Sequence, residues 1–246
     1  MKPSKIKNFI LDLFFPKKCL GCGKANIYIC DDCFNKIEIN PNNTCFFCGK
    51  ITWQGRICLE CKKENYLDRL IFATEYANPL VRELIKSFKY YFAQELAIPL
   101  SKLLIKTLET FDFSARGGPA LGWQSISNFQ FLIIPVPLHK RRERFRGFNQ
   151  AELLAREIAD YFKIPVSTHV LKRKLHSYPQ AKIKDMEKRR INLENVFEIN
   201  PEQLVEGKIV ILIDDVITTG ATLIEAAKIL KQSNAKEVWA ITVAKG

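Results

Sequence analysis

Two adjacent carboxylates at the end of an aliphatic run are the residues of this sequence best suited to chemistry. Residues 209–222 read IVILIDDVITTGAT, so Asp214 and Asp215 follow five aliphatic residues and precede a turn rich in threonine. Carboxylate oxygens accept hydrogen bonds from sugar hydroxyls and coordinate hard divalent cations such as Mg²⁺. The pair therefore predicts a ligand that presents hydroxyl groups, a cation, or both.

A turn of small and hydroxyl-bearing residues follows the acid pair and leads into a predicted helix. The free backbone N–H groups and the positive dipole end of a helix N-terminus, together with hydroxyl donors, suit a phosphate. We assign this phosphate loop to Thr218, Thr219, Gly220, Ala221 and Thr222. With the acid pair, the loop predicts a sugar phosphate ligand. The alternative is that Asp215 only orders the turn and the threonines only cap the helix.

All eight cysteines lie within the first 61 residues, in four C-x-x-C pairs. The pairs are Cys19/Cys22, Cys30/Cys33, Cys45/Cys48 and Cys58/Cys61. Two such turns supply the four thiolates that a tetrahedral Zn²⁺ site needs, so the spacing predicts one or two structural zinc ions. Sequential pairing is the simplest arrangement, and an interleaved one stays open. A disulfide or dithiol-redox array is disfavoured by the expected cytoplasmic location and by the fourfold repetition.

A basic segment with interleaved aromatic rings covers residues 139–148, HKRRERFRGF. Its cations grip phosphates and its rings stack on bases, a combination typical of single-stranded nucleic acid binding. The candidate residues are Lys140, Arg141, Arg142, Arg144, Phe145, Arg146 and Phe148. A second basic cluster begins at 172–174 and continues through 182–190. The alternatives are that both clusters are solvated loops, or that Arg146, Arg189 and Arg190 bind a diphosphate. The net charge of +12 fits a polyanionic partner without identifying it.

Alternating strand and helix patterns after the last cysteine predict an α/β fold with a doubly wound, mostly parallel sheet. The expected strands are residues 131–136, 166–171, 195–199, 208–214 and 238–243. Helices are expected from Asn78–Pro79 through Phe88 and over 94–108, 150–162 and 221–232. We place a double zinc ribbon at 1–66, the α/β domain at 67–246 and a surface loop at 114–128. In such a sheet, ligands bind beyond the carboxyl ends of the strands, where the acid pair is expected.

The N-terminal apolar run Phe9–Phe15 is short, contains Asp12 and lacks a small-residue cleavage site. It predicts neither a signal peptide nor a membrane span, and no other stretch approaches the roughly 20 apolar residues that a span requires. We therefore expect a cytoplasmic protein.

Several stretches together resemble one known family. VILIDDVITTGAT (210–222) is similar to the motif by which type I phosphoribosyltransferases bind 5-phosphoribosyl-1-pyrophosphate (PRPP). The N-terminal FFPKKCLGCG (14–23), IPVPLHKRRERFRGFNQAELLA (134–155), Pro179–Gln180 and RRINLENVF (189–197) resemble the ComF family of competence proteins. The resemblance spans nearly the whole chain.

The resemblance implies that Asp214 and Asp215 bind ribose hydroxyls and that Thr218–Thr222 bind the 5-phosphate. It also implies that Pro135, Val136 and Pro137 shape a pyrophosphate loop, with Mg²⁺ bridging. A role in handling incoming single-stranded DNA during natural transformation, beside a helicase partner, follows from the same resemblance.

Two other functions stay open at this stage. One is an ordinary phosphoribosyltransferase acting on a small base or amine, and the other is a noncatalytic PRPP sensor that recruits a partner through the zinc ribbons. The sequence has no P-loop G-K-[ST] and no dinucleotide G-x-G-x-x-G motif. It also offers no arrangement typical of a nucleophile, since His139, His169 and His176 are isolated and every cysteine belongs to a C-x-x-C pair. Any reaction is therefore expected to be an Mg²⁺-assisted displacement at a sugar carbon.

Overall fold

The structure, a computed structural model, describes residues 17–90, 93–111, 130–174, 196–200 and 205–246. Its main sheet consists of four parallel strands in the order β1–β6–β5–β2. These strands are β1 (Arg69–Glu75), β2 (Phe131–Pro135), β5 (Ile209–Ile217) and β6 (Glu237–Lys245). A separate antiparallel pair is formed by β3 (Leu171–Arg173) and β4 (Phe197–Ile199). The parallel α/β architecture predicted from the sequence is confirmed.

Seven α-helices are formed by the described residues. They are α1 (Asp31–Phe34), α2 (Leu59–Asn65), α3 (Pro79–Tyr90), α4 (Ala97–Glu109), α5 (Lys140–Arg146), α6 (Gln150–Phe162) and α7 (Ala221–Gln232). α3 starts where expected because the Asn78 side chain accepts hydrogen bonds from the N–H groups of Leu80 and Val81 at 3.0 and 3.3 Å. Asn149 begins α6 in the same way, accepting from the N–H of Ala151 at 3.1 Å.

Helices cover both faces of the sheet, which makes its inner strands aliphatic on both sides. Along β5, Ile211 and Ile213 face a core shared with α3, α4 and α6, whereas Val210 and Leu212 face a core shared with α7. The cysteine-rich segment joins both cores. Its first C-x-x-C pairs pack into the α3 side and its later ones into the α7 side.

The chain between the two halves of the cysteine-rich segment covers the outer edge of β1. The Asn40 N–H donates to the Ala73 carbonyl at 2.8 Å, and the Leu70 N–H donates to the Gly55 carbonyl at 2.8 Å. Between them, the Asn42 side-chain amide donates to the Phe72 carbonyl and accepts from the Phe72 N–H, both at 3.0 Å. These bonds satisfy backbone groups that an edge strand otherwise exposes.

Some element predictions were wrong. Residues 166–171 do not form a sheet strand: only Val166 bridges to Ile133, and the chain then bends before β3. Segment 195–199 does form a strand, β4, but it pairs outside the main sheet. β1 was not predicted, because its sequence, RLIFATE, follows the cysteines without a turn signal and begins with an arginine. The structure buries that arginine, Arg69. Loop 114–128, Pro179–Gln180 and residues 182–195 lie outside the described residues, and the domain boundary at 66 stays a prediction.

Gly55 is the point of closest approach along the β1 edge. A Cβ atom there would lie 2.5 Å from the Leu70 carbonyl oxygen, and φ at Gly55 is +65°. Gly49 has φ +73° in the same segment, but a Cβ there would meet nothing within 4 Å. We expect Gly49→Ala to lower the free energy of unfolding by about 1 kcal/mol through backbone strain alone. Gly55→Ala has the same backbone strain and also overpacks against β1, which should lower the free energy of unfolding by roughly 1–3 kcal/mol more.

Urea unfolding of the zinc-loaded variants measures this difference. Equal losses of unfolding free energy in the two variants would mean that glycine is needed at position 55 only for its positive φ. The approach of Gly55 to β1 would then not be tight.

Candidate functional site

The acid pair lies inside β5 instead of after it. β5 continues to Ile217 and pairs with β6 along this length, whereas β2 ends at Pro135 opposite Ile213. Beyond Ile213, β5 therefore has a strand partner on one side only, which makes an opening in the strand pairing at this edge of the sheet. This is the carboxyl end of the parallel sheet, as the sequence predicts.

Because side chains alternate between the two faces along a strand, the carboxylates of Asp214 and Asp215 lie on opposite faces of the sheet. Asp215 shares the α3 face and forms an ion pair there, with its Oδ1 atom 2.7 Å from the Lys89 Nζ at the end of α3. Asp214 shares the α7 face, and Arg173 in β3 acts on it electrostatically. The sequence places Arg173 in the second basic cluster and Lys89 in no motif, and it gives no signal that either meets the acid pair, because both are distant in the chain.

Asp214 has an unusually high pKa for an aspartate. Burial, followed by the negative charge of Asp215, raises its pKa from 3.8 to about 7, against the opposing effects of the Asp215 N–H, Lys89 and Arg173. The Asp215 N–H donates to Asp214 Oδ1 at 2.8 Å. The pair is therefore poised to lose a proton when a cation or a hydrogen-bond donor arrives near neutral pH.

The phosphate loop has the expected geometry. Gly220 adopts φ +78° immediately before α7, which begins at Ala221, and Thr218 and Thr219 are exposed. The Ala221 N–H donates to Thr219 Oγ1 at 3.4 Å, a weak contact. The loop packs against the cysteine-rich segment. Gly220 is so close to Phe47 that a Cβ atom added at Gly220 would lie 3.7 Å from the Phe47 ring. Phe47 lies between Cys45 and Cys48, so the second cysteine cluster supports the loop directly.

The segment Pro135–Pro137 borders the same opening. Its central residue, Val136, is buried, and its carbonyl accepts a hydrogen bond from the Asn149 side chain at 3.1 Å. The Val136 N–H in turn donates to the Ile213 carbonyl at 2.9 Å. The segment is thus fixed between β5 and α6, next to the acid pair.

The basic segment is a short helix, α5, and only part of it is accessible. Lys140, Arg141, Arg142, Arg144 and Phe145 are exposed, and Phe145 is 66% exposed. Arg146 and Phe148 are buried, which removes them from the nucleic-acid candidates.

The buried residues at the end of α5 have structural partners. Arg146 donates to Gln150 Oε1 at 2.9 Å and lies over the Tyr90 ring at 5.3 Å. Phe148 packs on Phe88 with ring centroids 5.7 Å apart. They attach the end of α5 and the turn after it to α3 and α6.

The eight cysteines form two clusters with sequential pairing, and in each the four sulfur atoms lie within 4.8 Å of one another. The first comprises Cys19, Cys22, Cys30 and Cys33, and the second Cys45, Cys48, Cys58 and Cys61. Sulfur separations of 3.7 Å (Cys19–Cys30), 3.6 Å (Cys22–Cys30) and 3.5 Å (Cys48–Cys58) occur. A zinc tetrahedron with Zn–S bonds of about 2.3 Å has edges of about 3.8 Å, so both clusters fit structural zinc.

Backbone N–H groups prepare one thiol in each cluster for a metal. Burial raises the pKa of Cys19 and Cys45, but backbone donors more than offset it. The N–H groups of Cys30, Gly21 and Cys22 bring the pKa of Cys19 to about 6. Those of Cys58, Cys48 and Phe47 bring the pKa of Cys45 to about 7. The thiolate is the form that binds zinc.

Comparisons with known proteins agree with this arrangement. The family model "Double zinc ribbon domain" matches residues 10–64, and "Phosphoribosyl transferase domain" matches residues 149–246. Competence protein F of Haemophilus influenzae is 31% identical over 92% of this chain and 95% of its own. The chain belongs to the ComF family.

Other ComF relatives match at similar levels. Competence protein ComFC of Bacillus subtilis is 30% identical over 89% of this chain and 85% of its own. The DNA utilization protein YhgH of Escherichia coli is 30% identical over 87% of this chain and 89% of its own. A purine phosphoribosyltransferase of Pyrococcus horikoshii aligns at 17% identity over 64% of this chain and 75% of its own, with a TM-score of 0.32, too low to carry an argument. Among the residues that the structure describes, no helix is long and apolar enough to cross a bilayer.

We expect two zinc ions per chain in this ComF protein. Cys48→Ser with Cys58→Ser should leave one zinc, because both removed ligands belong to the second cluster. Metal analysis of the purified proteins, with wild type as the reference, gives the count. Loss of both zinc ions from this variant would point to interleaved pairing, and a metal-free wild type would end the zinc assignment.

The raised pKa of Asp214 predicts a pH-dependent stability difference. Its folded pKa of about 7 exceeds the unfolded value of about 3.9, so its ionisation destabilises the folded protein as pH rises through that window. Asp214→Asn removes this effect and can keep the hydrogen bond from the Asp215 N–H. We expect a melting temperature above that of wild type at pH 8 and a much smaller difference at pH 4, without Mg²⁺.

Asp160→Asn is the matched control, since Asp160 is an exposed carboxylate on α6. A gain in melting temperature from Asp214→Asn that stays constant from pH 4 to pH 8 would contradict the raised pKa of Asp214.

Proposed function

We propose that this ComF protein binds PRPP at the acid pair and phosphate loop and handles single-stranded DNA during natural transformation. The observation that carries the proposal is the position of Asp214 and Asp215. They lie where β5 has a strand partner on one side only, and α7 begins six residues after Asp215, behind the exposed Thr218 and Thr219. That arrangement offers acceptors for sugar hydroxyls and donors for a phosphate at one edge of the sheet.

In this proposal the ligand's 5-phosphate is held by Thr218–Thr222, through the free N–H groups of α7 and the threonine hydroxyls. Asp214 and Asp215 accept hydrogen bonds from the ribose hydroxyls. Pro135–Pro137 contact the diphosphate from the opposite side of the opening. The carboxylates also fit Mg²⁺, which coordinates oxygen and would offset the charge of a bound diphosphate.

Lys89 adds a protein cation to this site. Its ammonium neutralises Asp215 at 2.7 Å when no ligand is bound. A ribose hydroxyl bound to the Asp215 carboxylate would leave that ammonium free to attract the diphosphate. A local positive charge stabilises a polyphosphate and also a leaving diphosphate.

The DNA part of the proposal rests on the relatives and on α5. Relatives are named for competence and for DNA utilization. The exposed cations of α5, with the exposed Phe145 ring, provide phosphate contacts and base stacking. A competence helicase as partner and a cytoplasmic location stay predictions.

Phosphoribosyl transfer to a base or amine is a second candidate, favoured by the match to a phosphoribosyl transferase family model over 149–246. The acceptor would displace diphosphate from the sugar carbon, and the site's cations would stabilise the departing charge. Release of diphosphate from PRPP in the presence of a candidate acceptor distinguishes this activity from binding alone. A noncatalytic PRPP sensor would bind PRPP and release none.

Titration of PRPP with Mg²⁺ by calorimetry tests the sugar phosphate site. We expect Asp214→Asn with Asp215→Asn to weaken binding at least tenfold, about 1.4 kcal/mol, because the amides lose charge and present donors toward the hydroxyls. Asp160→Asn should bind as wild type. Single-stranded DNA binding should survive in the double variant. A wild type that binds no PRPP refutes the sugar phosphate half of the proposal, and one that binds no single-stranded DNA refutes the other half.

A further inference from the structure

A second basic surface faces α5 across a cleft. The cleft, of about 530 Å³, lies between the segment that leads into α5 and the β3–β4 pair. Its lining cations are Lys140, Lys172, Arg173 and Lys174, and its lining acids are Glu143 and Glu198. Lys172 and Lys174 are exposed and stand on a different element from the α5 cations. The structure therefore brings together parts of two basic clusters that are about thirty residues apart in the chain.

Arg173 occupies the inner part of this surface. Its guanidinium lies 5.5 Å from the centroid of the Phe197 ring. Its Nε atom is buried and, within the described part of the chain, has no hydrogen-bond partner. A desolvated donor without an acceptor is unfavourable, and native structures contain few of them. Arg173, which lines the cleft, is therefore a cation whose hydrogen-bonding capacity the described residues do not fully use.

Like charges crowd around Arg173. Burial, followed by the charge of Arg142, lowers the pKa of Arg173, while Asp214 acts in the opposite direction. The same crowding reaches His139, whose pKa is lowered by burial and then by the charges of Arg173, Arg142, Arg141 and Arg144. A group of cations that repel one another is relieved when a polyanion binds among them.

We propose that this cleft carries the phosphodiester backbone of single-stranded DNA, with Arg173 as the innermost phosphate contact. The identity of the partner rests on the proposed function. The cleft cations Lys172 and Lys174 and the exposed α5 cations Arg141 and Arg144 are spread over two elements, which suits a chain of phosphates better than one diphosphate. The exposed Phe145 ring on α5 can stack on a base, which requires a strand whose bases are unpaired.

The test uses substitutions that remove charge without adding repulsion. Lys172 lies opposite Glu198 in the β3–β4 pair, so glutamine is preferred to glutamate at this position. For Lys172→Gln with Lys174→Gln we expect fluorescence anisotropy to show an affinity for labelled oligothymidylate at least tenfold lower than that of wild type. The log–log salt slope should fall by about 1.4, since each lost contact removes about 0.7. Phe145→Ala should lower the affinity at least about fivefold.

The matched control is Lys102→Gln with Lys236→Gln, which removes two exposed lysines from α4 and from the residue before β6. It should bind oligothymidylate within twofold of wild type, and every variant should bind PRPP–Mg²⁺ as wild type does. Equal losses in the control and the cleft variant would show a nonspecific charge effect and overturn the proposal. So would unchanged DNA affinity in the cleft variant, or loss of PRPP binding with DNA binding intact, which would assign the cleft to the diphosphate. A wild type that does not bind the oligonucleotide would instead refute the proposed function.

Discussion

The backbone hydrogen bonds between the cysteine-rich segment and the outer edge of β1 are the contacts on which the rest of this structure depends. A parallel sheet with helices on both faces still has two edges, and an exposed edge strand offers unpaired N–H and C=O groups. Here the chain at Asn40, Asn42 and Gly55 occupies one edge and bonds to β1 along its length. The segment is too poor in apolar residues to hold this shape alone, so two zinc clusters take the place of a core.

The same attachment connects the zinc clusters to the proposed ligand site. The first cluster packs against the core on the α3 side, and the second against the core on the α7 side. From the second cluster, Phe47 reaches Gly220 in the phosphate loop, and the neighbouring Phe46 lies under Lys245 at 5.6 Å. Zinc is therefore structural for the site as well as for the module that carries it. This explains physically why a ribbon accompanies a phosphoribosyltransferase-like fold in this chain.

Electrostatic pairing sets the character of the acid pair. Because successive residues of a strand alternate between faces, Asp214 and Asp215 have different surroundings although they are adjacent in sequence. Asp215 has Lys89 in direct contact, whereas Asp214 is half-buried, with Lys89 and Arg173 acting on it electrostatically. One carboxylate is thus neutralised by an ammonium and the other by a proton near neutral pH. The partial protonation of Asp214 and the Lys89 cation together lower the electrostatic cost of bringing a polyphosphate to two aspartates.

The sequence by itself determined the features that depend on local pattern. The C-x-x-C spacing defined eight zinc ligands, the aliphatic run before Asp214 defined a buried strand, and the turn at Gly220 defined the start of α7. It failed where partners distant in the chain decide the outcome. The strand expected at 166–171 did not form, because only Val166 bridges to Ile133 and the chain bends before β3 begins at Leu171. Arg146 and Phe148 are not part of the exposed basic surface, because α3 and α6 bury them. Only the tertiary structure decided the sequential cysteine pairing, the covering of β1, and the meeting of Lys89 and Arg173 with the two aspartates. Periodicity and spacing encode which face of an element is apolar, whereas ion pairs and edge contacts depend on how separate elements pack in three dimensions.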